Sequence, residues 1–393
     1  MSQHGLRVAI VGGGIGGMAA ANALVQRGID VRVYEQAAAL TEVGAGVALQ
    51  PNGVRMIRRL GFSEDLARFG ARWREAQFLR ADGSYAASMW PAELANEIEF
   101  IGLHRADLLG MLTERLPRDI VRTDHKCICF EQDDGHVVVS FANGERAEAD
   151  VVIAADGIHS RLQRFVVAPS APVSSGSVAY RGIVPAHRVD WPAGAMRNWL
   201  GAGRHFAVYP VRSGALLNCV GVVPTSEDMK ESWSAPGDLA DFAREFAGFD
   251  PMVGSLIGHI AQPFRWGLYD REPLARWTQG RLTLLGDAAH PMLPHTGQGA
   301  NQAIEDAVAL ATVLSRCERS SAPRALEVYE SMRRERAPPP LPPHPRSPDW
   351  RPGPCAEAWG GRHLRAGSNA PASTLAVAPD RTGPSEKVEQ CGQ

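Results

Sequence analysis

Short apolar runs alternate with helix-like segments at the start of the chain. Residues 7–11 (Arg-Val-Ala-Ile-Val) and 31–35 (Val-Arg-Val-Tyr-Glu) predict buried strands of a parallel sheet, because they are short and rich in β-branched residues. The Ala-rich segment 15–27 between them predicts a helix that ends at Gly28. Together these elements predict a βαβ unit.

The period of the apolar positions changes farther along the chain. Residues 120–155 predict a meander of strands that ends in the wholly apolar run 151–155, and residues 174–270 alternate apolar and polar positions, as an antiparallel sheet does. Residues 281–286 return to the style of a parallel strand. Further helices are predicted at residues 52–60, 104–116 and 298–316.

This pattern and the length of 393 residues predict an α/β protein with two packed domains. One is a discontinuous, Rossmann-like domain with a three-layer parallel sheet, formed by residues 1–172 and 276–336. An antiparallel-sheet domain, residues 173–275, is inserted into it, and a segment near residues 73–100 joins the inserted domain.

The last 57 residues, from Ala337, have a different composition. Twelve of the 28 prolines of the chain lie between Pro338 and Pro384, and no helical or strand period is visible there. We expect residues 337–393 to be disordered or aberrant, the second case arising from a shift of reading frame, because the helical pattern stops abruptly at Ala337.

Charge and cysteine content narrow the function classes. A net charge of -2 gives no reason to expect a nucleic-acid partner, and no run of about 20 apolar residues predicts a membrane span. The six cysteines show no metal-ligand spacing, so we expect no metal and a reduced, cytoplasmic compartment. The N-terminal residues also lack the pattern of a secretory signal.

The first motif that carries chemistry is the glycine-rich turn between the first strand and the first helix. Gly12 permits the tight turn, Gly14 lets a pyrophosphate approach the backbone, and Gly17 lets the helix pack closely on the strand. Glu35, at the end of the second strand, is placed to accept hydrogen bonds from ribose hydroxyls. This context predicts a dinucleotide site.

Two further acidic motifs follow apolar strands. Asp156-Gly157 comes after residues 151–155, and Gly286-Asp287 comes after residues 281–285. The carboxyl ends of parallel strands are where α/β sheets hold ligands, so Asp287 is a candidate acceptor for a polyol hydroxyl. His290, three residues on, we interpret as structural.

These motifs, with His104-Arg105-Ala106-Asp107-Leu108 between the first two, resemble the FAD-dependent aromatic hydroxylases, the single-component flavin monooxygenases related to salicylate and para-hydroxybenzoate hydroxylases. The segment from Gly44 to Val47 and the segment from Gly297 to Ala307 resemble the salicylate-hydroxylase-like branch. The resemblance covers about residues 5–335. It implies a para-hydroxybenzoate-hydroxylase-like fold, FAD as cofactor, and NADH or NADPH as a transient reductant. It also implies O2 and a small phenolic or heteroaromatic substrate, hydroxylated through a C4a-hydroperoxyflavin by a monomer or homodimer.

The resemblance also implies roles for individual residues. It assigns the FAD pyrophosphate to Gly12, Gly14 and Gly17, the adenosine ribose to Glu35 with Gln36 adjacent, further FAD contacts to Val47, Arg105 and Asp156, the adenine to the backbone of Cys127, the ribityl and pyrophosphate region to Asp287, and the isoalloxazine ring to Pro291 and the backbone of Gly297, Gly299, Ala300 and Asn301. One position departs from the family: Gln163 stands where an Arg usually follows the Asp-Gly motif, which leaves the docking of the reductant open.

The inserted domain offers candidates for the chemistry on the substrate. His205, Ala207 and Tyr209 share one face of a strand, and a His and a Tyr together can activate and orient a phenol. Arg181 is a candidate partner for a substrate carboxylate, although the sequence favours a structural salt bridge. Two alternatives stay open: an epoxidase or oxidative tailoring enzyme of natural-product metabolism, and a non-catalytic flavin- or ligand-binding relative.

Overall fold

The structure is a computed structural model of the chain. It describes residues 5–40, 46–94, 96–168, 172–201, 203–226 and 235–336. The predicted disordered or aberrant tail, residues 337–393, therefore lies outside the described residues.

Nineteen strands are found in the described part of the chain. In chain order they are β1 (Arg7–Val11), β2 (Asp30–Tyr34), β3 (Gly46–Leu49), β4 (Ala71–Arg72), β5 (Glu75–Arg80), β6 (Tyr85–Ser88), β7 (Ile101–His104), β8 (Val121–Arg122), β9 (Cys127–Gln132), β10 (Val137–Phe141), β11 (Arg146–Ala149), β12 (Val151–Ala154), β13 (Val173–Pro185), β14 (Ala195–Gly201), β15 (Arg204–Val211), β16 (Leu216–Pro224), β17 (Phe264–Asp270), β18 (Thr278–Gln279) and β19 (Leu282–Leu284).

Eight α-helices are found in the same described part of the chain. They are α1 (Ile15–Val25), α2 (Pro51–Arg59), α3 (Ser63–Phe69), α4 (Arg105–Glu114), α5 (Leu239–Glu245), α6 (Pro251–Gly258), α7 (Gly299–Leu314) and α8 (Ala322–Arg334).

The first large sheet joins distant parts of the chain. Its order is β18-β19-β12-β1-β2-β8, and all neighbours except β18 and β19 run parallel. One continuous apolar core packs these strands with α1, α4 and α7 and with the β9-β10-β11 meander. This arrangement is the predicted α/β fold, and it brings the carboxyl ends of β1, β12 and β19 to one edge.

The second large sheet has seven strands in the order β17-β13-β16-β15-β14-β5-β6. One of its faces packs on α5 and α6 through side chains such as Tyr180, Phe206 and Phe242. The opposite face, on which Val222 and Trp266 lie, packs against Leu293 from the loop after β19. This opposite face, which we call the inner face, therefore lies toward the parallel-sheet part of the molecule.

The interval 174–270 is not strand throughout, which corrects the prediction for it. It contains α5 and α6, whose first turns are capped by Asp238 and Asp250 through bonds from the backbone N–H groups of Asp241 and Met252. Caps of this kind are local signals, but both helices are short, seven and eight residues, so their helical period is weak. The sheet also contains one parallel pair, β5 with β14.

In the described part of the chain, no helix is both long and apolar enough to cross a membrane.

Candidate functional site

The glycine-rich turn after β1 is sterically restricted to glycine at two positions. Gly12 has φ 111°, and a Cβ there would lie 2.2 Å from the carbonyl oxygen of Ala155. A Cβ on Gly17 would lie 2.0 Å from the carbonyl oxygen of Gly12. These two glycines therefore bring the start of α1 close to the ends of β1 and β12.

The backbone before α1 is open to a ligand. Among the described residues, a Cβ on Gly14 would have no neighbour within 4 Å, and none of their side chains caps the first turn of the helix that Gly14 precedes. The first N–H groups of a helix attract phosphate when no side chain occupies them. Gly14 thus differs from Gly12 and Gly17, because it borders space rather than protein.

The Glu35 side chain stabilises the glycine-rich turn by hydrogen bonds to the backbone. Its Oε2 accepts a 2.7 Å hydrogen bond from the N–H of Gly13, and its Oε1 accepts a 2.8 Å bond from the N–H of Ala37. Each carboxylate oxygen keeps a second lone pair for another donor. Gln36 follows immediately and is exposed.

Asp156 lies at the same edge of the sheet. Its Oδ2 accepts a 2.8 Å bond from the N–H of Arg161, whereas its buried Oδ1 has no hydrogen-bond partner among the described residues. Burial raises the pKa of this carboxyl, and hydrogen bonds from Ser160 and Arg161 oppose the rise. The Cys127 thiol interacts electrostatically with Asp156, and burial raises the pKa of the thiol to about 12.

Gln163, the departure from the family pattern, is a buried connector. Its Nε2 donates a 3.0 Å hydrogen bond to the carbonyl oxygen of Ala288, and its own N–H donates to Ser160 Oγ. The side chain therefore ties the Asp156 motif to the Asp287 motif.

Asp287 lies where β19 meets α7. The preceding residue, Gly286, has φ 61°, and a Cβ on Gly299 would lie 3.8 Å from Asp287 Oδ1. Burial raises the pKa of the Asp287 carboxyl, and the charges of His290 and Arg105 oppose the rise. Arg105, the first residue of α4, is thus close enough to act on this acid.

A buried network of charges anchors this motif to the last two helices. His290 Nε2 lies 2.6 Å from Asp306 Oδ2, and Arg333 Nε donates a 2.6 Å bond to Asp306 Oδ1. Burial would lower the pKa of His290, but the charge and hydrogen bond of Asp306 raise it overall. Burial would raise the pKa of Asp306, but His290 and Arg333 lower it overall. These contacts support the interpretation of His290 as structural.

An amide clamp that was not predicted from the sequence joins β3 to α7. The buried Asn301 accepts a 2.9 Å bond from the N–H of Gln50 through Oδ1, and its Nδ2 donates to the carbonyl oxygens of Ala48 and Gly297. Gln298 Nε2 donates a 2.6 Å bond to Gln50 Oε1. The resemblance assigns a role only to the backbone of Asn301, and Gln50 is not predicted because an isolated Gln carries no sequence signal.

The predicted contacts of the isoalloxazine ring border this clamp. Val47 is buried on β3, Gly297 has φ 62° at the end of a short turn, and Gly299 begins α7 with Ala300 half-buried beside it. Pro291 is half-buried at the start of the loop that contacts the inner face through Leu293. The loop after β19 and the amide clamp therefore adjoin each other, and the predicted contacts of the isoalloxazine ring lie along both.

His205 of β15 contacts His295, a histidine of this loop. The ring centroids of His205 and His295 are 5.5 Å apart, with the rings nearly edge to face. His295 was not predicted, because its partner is distant in sequence and only the fold brings the two together.

Tyr209 lies farther along the same strand in an aromatic cluster. Its ring centroid is 5.3 Å from that of Trp73, which stacks on Phe100. Burial raises the pKa of Tyr209 to about 12, and the charges of Arg181 and Arg105 oppose the rise. Four residues of strand, about 13 Å, separate Tyr209 from His205, so the two mark opposite ends of one row rather than a contact pair.

The inner-face row between these two residues is apolar. Ala207, the residue between them on the inner face, has only a methyl side chain and pairs with Val220 of β16. Arg181 is the next residue in register beyond Val220, and its guanidinium carbon is 5.1 Å from the ring centroid of Trp266. An apolar floor with a cation and an imidazole at its margins suits a small, polar aromatic ring.

Residues 5–339 match a protein family described as FAD binding domain. The chain belongs to this family. It is 38% identical to a 3-amino-4-hydroxybenzoate 2-monooxygenase of Streptomyces platensis, over 85% of each chain. It is 35% identical to a 6-hydroxynicotinate 3-monooxygenase of Bordetella bronchiseptica, over 84% of this chain and 88% of the relative. A solved structure of a salicylate hydroxylase with its substrate superposes with a TM-score of 0.74, at 32% identity over 86% of each chain.

This member of the FAD-binding family is an FAD-dependent aromatic hydroxylase, and both the fold class and the enzyme class predicted from the sequence are confirmed. Its cofactor is FAD, with NAD(P)H as the reductant typical of these monooxygenases, and it acts on a small aromatic substrate with O2.

The residues of this chain fit the cofactor. The open, uncapped backbone at Gly14 suits a pyrophosphate, and the buried, unpartnered Oδ1 of Asp156 supplies an acceptor that the described residues leave unused. Asp287, with Arg105 near it, offers an acceptor and a cation at the next strand end. FAD supplies the redox chemistry when bound, and the protein holds, orients and shields it.

Proposed function

We propose that this enzyme hydroxylates a small aromatic acid that already carries a ring hydroxyl, such as a hydroxybenzoate or a hydroxypyridine carboxylate. The observation that carries the proposal is the pair His205 and His295, which meets at one end of the inner-face row while the cation Arg181 lies beside that row. The names of the relatives agree, since each acts on a ring with a hydroxyl or amino group and a carboxylate.

His205 is the proposed base or hydrogen-bond acceptor for the ring hydroxyl. An imidazole has an unperturbed pKa of about 6.5, so it can take a proton near neutral pH. Loss of that proton makes the ring more electron-rich, which favours attack on an electrophilic oxygen. His295, edge to face with His205, orients the imidazole from the loop side.

Tyr209 and Arg181 are proposed to orient the other end of the substrate. With a pKa of about 12, the Tyr209 hydroxyl stays protonated at neutral pH and acts as a hydrogen-bond donor. Arg181 interacts electrostatically with Tyr209, so an anionic group bound near Tyr209 also meets a positive potential.

The roles of the FAD-binding residues are proposed as the resemblance implies them. The pyrophosphate lies on Gly12, Gly14 and Gly17, and the ribose lies at Glu35 and Gln36. The remaining proposed contacts are Val47, Arg105, Cys127, Asp156, Asp287, Pro291, Gly297, Gly299, Ala300 and Asn301.

A comparison of three ring types tests the substrate class. NADH and NADPH oxidation by the FAD-loaded enzyme is followed with a hydroxy acid (salicylate, 4-hydroxybenzoate or 6-hydroxynicotinate), with phenol and with benzoate. The proposal expects strong stimulation by a hydroxy acid and weak stimulation by phenol or benzoate. In Arg181→Gln the preference for the acid over phenol should fall about tenfold or more, as expected for loss of a charge-assisted bond. Equal stimulation of the unmodified enzyme by phenol and by every hydroxy acid would refute the role of the carboxylate.

We further propose a cytoplasmic monomer or homodimer without nucleic-acid or membrane partners. The near-neutral net charge of -2 supports the absence of an electrostatic surface for nucleic acid. The nicotinamide reductant typical of these monooxygenases is available in the cytoplasm, which supports this compartment. Light scattering of the purified protein gives the oligomeric state directly.

A further inference from the structure

Asn218, on β16, is a fully buried polar residue to which the proposed function gives no role. It lies directly opposite Tyr209 in the antiparallel register of β15 and β16. Opposed residues of antiparallel strands project from the same side of the sheet with Cβ atoms about 5 Å apart. Asn218 therefore lies on the inner face beside the proposed substrate position.

One hydrogen bond fixes the orientation of the Asn218 amide. Its Oδ1 accepts a 2.7 Å bond from the N–H of Gly46, the first residue of β3. The reverse orientation would set the NH2 group against that N–H, donor against donor. A Cβ on Gly46 would lie 2.6 Å from Asn218 Cγ, so glycine is needed for this approach. The two residues thus form a matched contact between the seven-stranded sheet and β3.

The other half of the amide is unused among the described residues. Asn218 Nδ2 is buried and has no hydrogen-bond partner among the described residues. The indole Nε1 of Trp73, whose ring packs on Tyr209, is a second buried donor in the same condition. Buried donors without acceptors destabilise a protein, and a bound ligand is one way to satisfy them.

The surroundings select the kind of acceptor. Arg105 and Arg181 both act electrostatically on Tyr209, which is the neighbour of Asn218. A negatively charged or partly charged oxygen on an aromatic ring meets both the donor and this positive potential. Such an oxygen belongs to the aromatic substrate, as a carboxylate or phenolate, or to the isoalloxazine ring, as a carbonyl.

We propose that Asn218 is a positioning and specificity residue that donates an Nδ2 hydrogen bond to an oxygen of the bound aromatic ligand while Gly46 holds its Oδ1. The inference deepens the proposed function and rests on it for the identity of the substrate. The backbone bond to Gly46 makes the donor rigid, because the amide cannot turn without losing that bond.

The variant Asn218→Asp tests this proposal, because it keeps the shape and the acceptor for the Gly46 N–H but replaces the donor with a second acceptor. Asn143→Asp, on an exposed turn, is the matched control. FAD binding to the apoprotein is titrated by flavin fluorescence, and salicylate or 6-hydroxynicotinate binding to the FAD-loaded, oxidised enzyme is titrated by the visible flavin spectrum. Neither readout needs turnover.

The two arms distinguish the sources of the oxygen. Substrate binding weakened at least tenfold, with FAD affinity within twofold of the control, supports a substrate oxygen. FAD affinity weakened at least tenfold supports an isoalloxazine carbonyl. If the variant folds and both affinities stay within twofold of the control, the proposal is overturned. Should the aspartate variant be insoluble, Asn218→Ser, which is uncharged and too short to reach the ligand, is read by the same two arms.

The experiment distinguishes a wrong role for Asn218 from a wrong substrate class. The FAD arm does not depend on the substrate. If the unmodified enzyme responds to no hydroxy acid, the proposed substrate class fails, while an FAD arm that weakens still supports the donor role of Asn218.

Discussion

The imidazole rings of His205 and His295 are 5.5 Å apart, centroid to centroid, although one lies on the seven-stranded sheet and the other on the loop that leads into α7. The contact brings the His205 imidazole of the inner face against the loop after β19, which is proposed to border the flavin ring. The proposal that the reaction takes place where the inner face meets this loop rests on that contact.

Replacement of His205 should impair the reaction without unfolding the protein. His205→Asn removes the titratable imidazole from a half-buried position, and we expect kcat/KM to fall about 100-fold or more, the range for loss of a general base. The exposed His187, replaced in the same way, should leave kcat/KM unchanged. Steady-state kinetics with product quantified by chromatography measure both. A His205→Asn enzyme as active as His187→Asn would remove His205 from the mechanism.

Alanine substitutions at two glycines of the first motif should affect different properties of the protein. Gly12→Ala places a Cβ 2.2 Å from a carbonyl oxygen at φ 111°, so the apoprotein should lose about 2 kcal/mol or more of stability. In Gly14→Ala the added methyl group lies more than 4 Å from every atom of the described residues, so the thermal midpoint of this variant without FAD should match that of the unmodified apoprotein.

The contrast between them lies in FAD affinity. Gly14→Ala should weaken FAD binding about tenfold or more, because the methyl group occupies space proposed for the pyrophosphate. Calorimetry of the apoproteins and fluorescence titration with FAD separate the two effects. An unchanged FAD affinity in Gly14→Ala would contradict the assignment.

The pair His290 and Asp306 should stabilise the fold over a limited pH window. The raised pKa of His290 gives stability that is complete below about pH 6.5, its unfolded value, and lost as the pH rises through the folded value. The lowered pKa of Asp306 gives stability that is present above about pH 4 and lost as the pH falls through its folded value. The difference in thermal midpoint between the unmodified protein and His290→Gln should therefore be largest between about pH 4 and 6.5. His187→Gln is the control, and a difference that grows toward alkaline pH would show that the pair is misassigned.

Tyr209 should not contribute a pH limb in the neutral range. Since its pKa is about 12, its hydroxyl stays protonated at pH 6 to 9. Tyr209→Phe should lower kcat/KM about tenfold, as for one lost hydrogen bond, with the shape of the pH profile between pH 6 and 9 preserved. A limb that disappears in the variant would mean that Tyr209 ionises during turnover.

The sequence predicted the parts of the site whose signal is local. The glycine turn and the two Asp motifs were visible because each follows a strand end, as at Gly12 and Asp287, and the β15 face was visible because alternate residues of a strand share one side. The clamp of Gln50, Gln298 and Asn301 and the contact of His205 with His295 were not visible. Their meaning depends on which strand lies beside which helix, and amide and imidazole side chains carry no period of their own. The helices α5 and α6 were missed because they are short, seven and eight residues, so few turns are available to show a helical period.

Isotope incorporation tests the central claim most directly. The FAD-loaded enzyme is supplied with NADH or NADPH and a hydroxylated aromatic acid under 18O2, and the product is analysed by mass spectrometry. The account predicts a product that contains one atom of oxygen-18, formed in His187→Asn and reduced about 100-fold in His205→Asn. NAD(P)H oxidation that never transfers labelled oxygen to a hydroxylated aromatic acid, or labelled product formed equally well by His205→Asn, would contradict it.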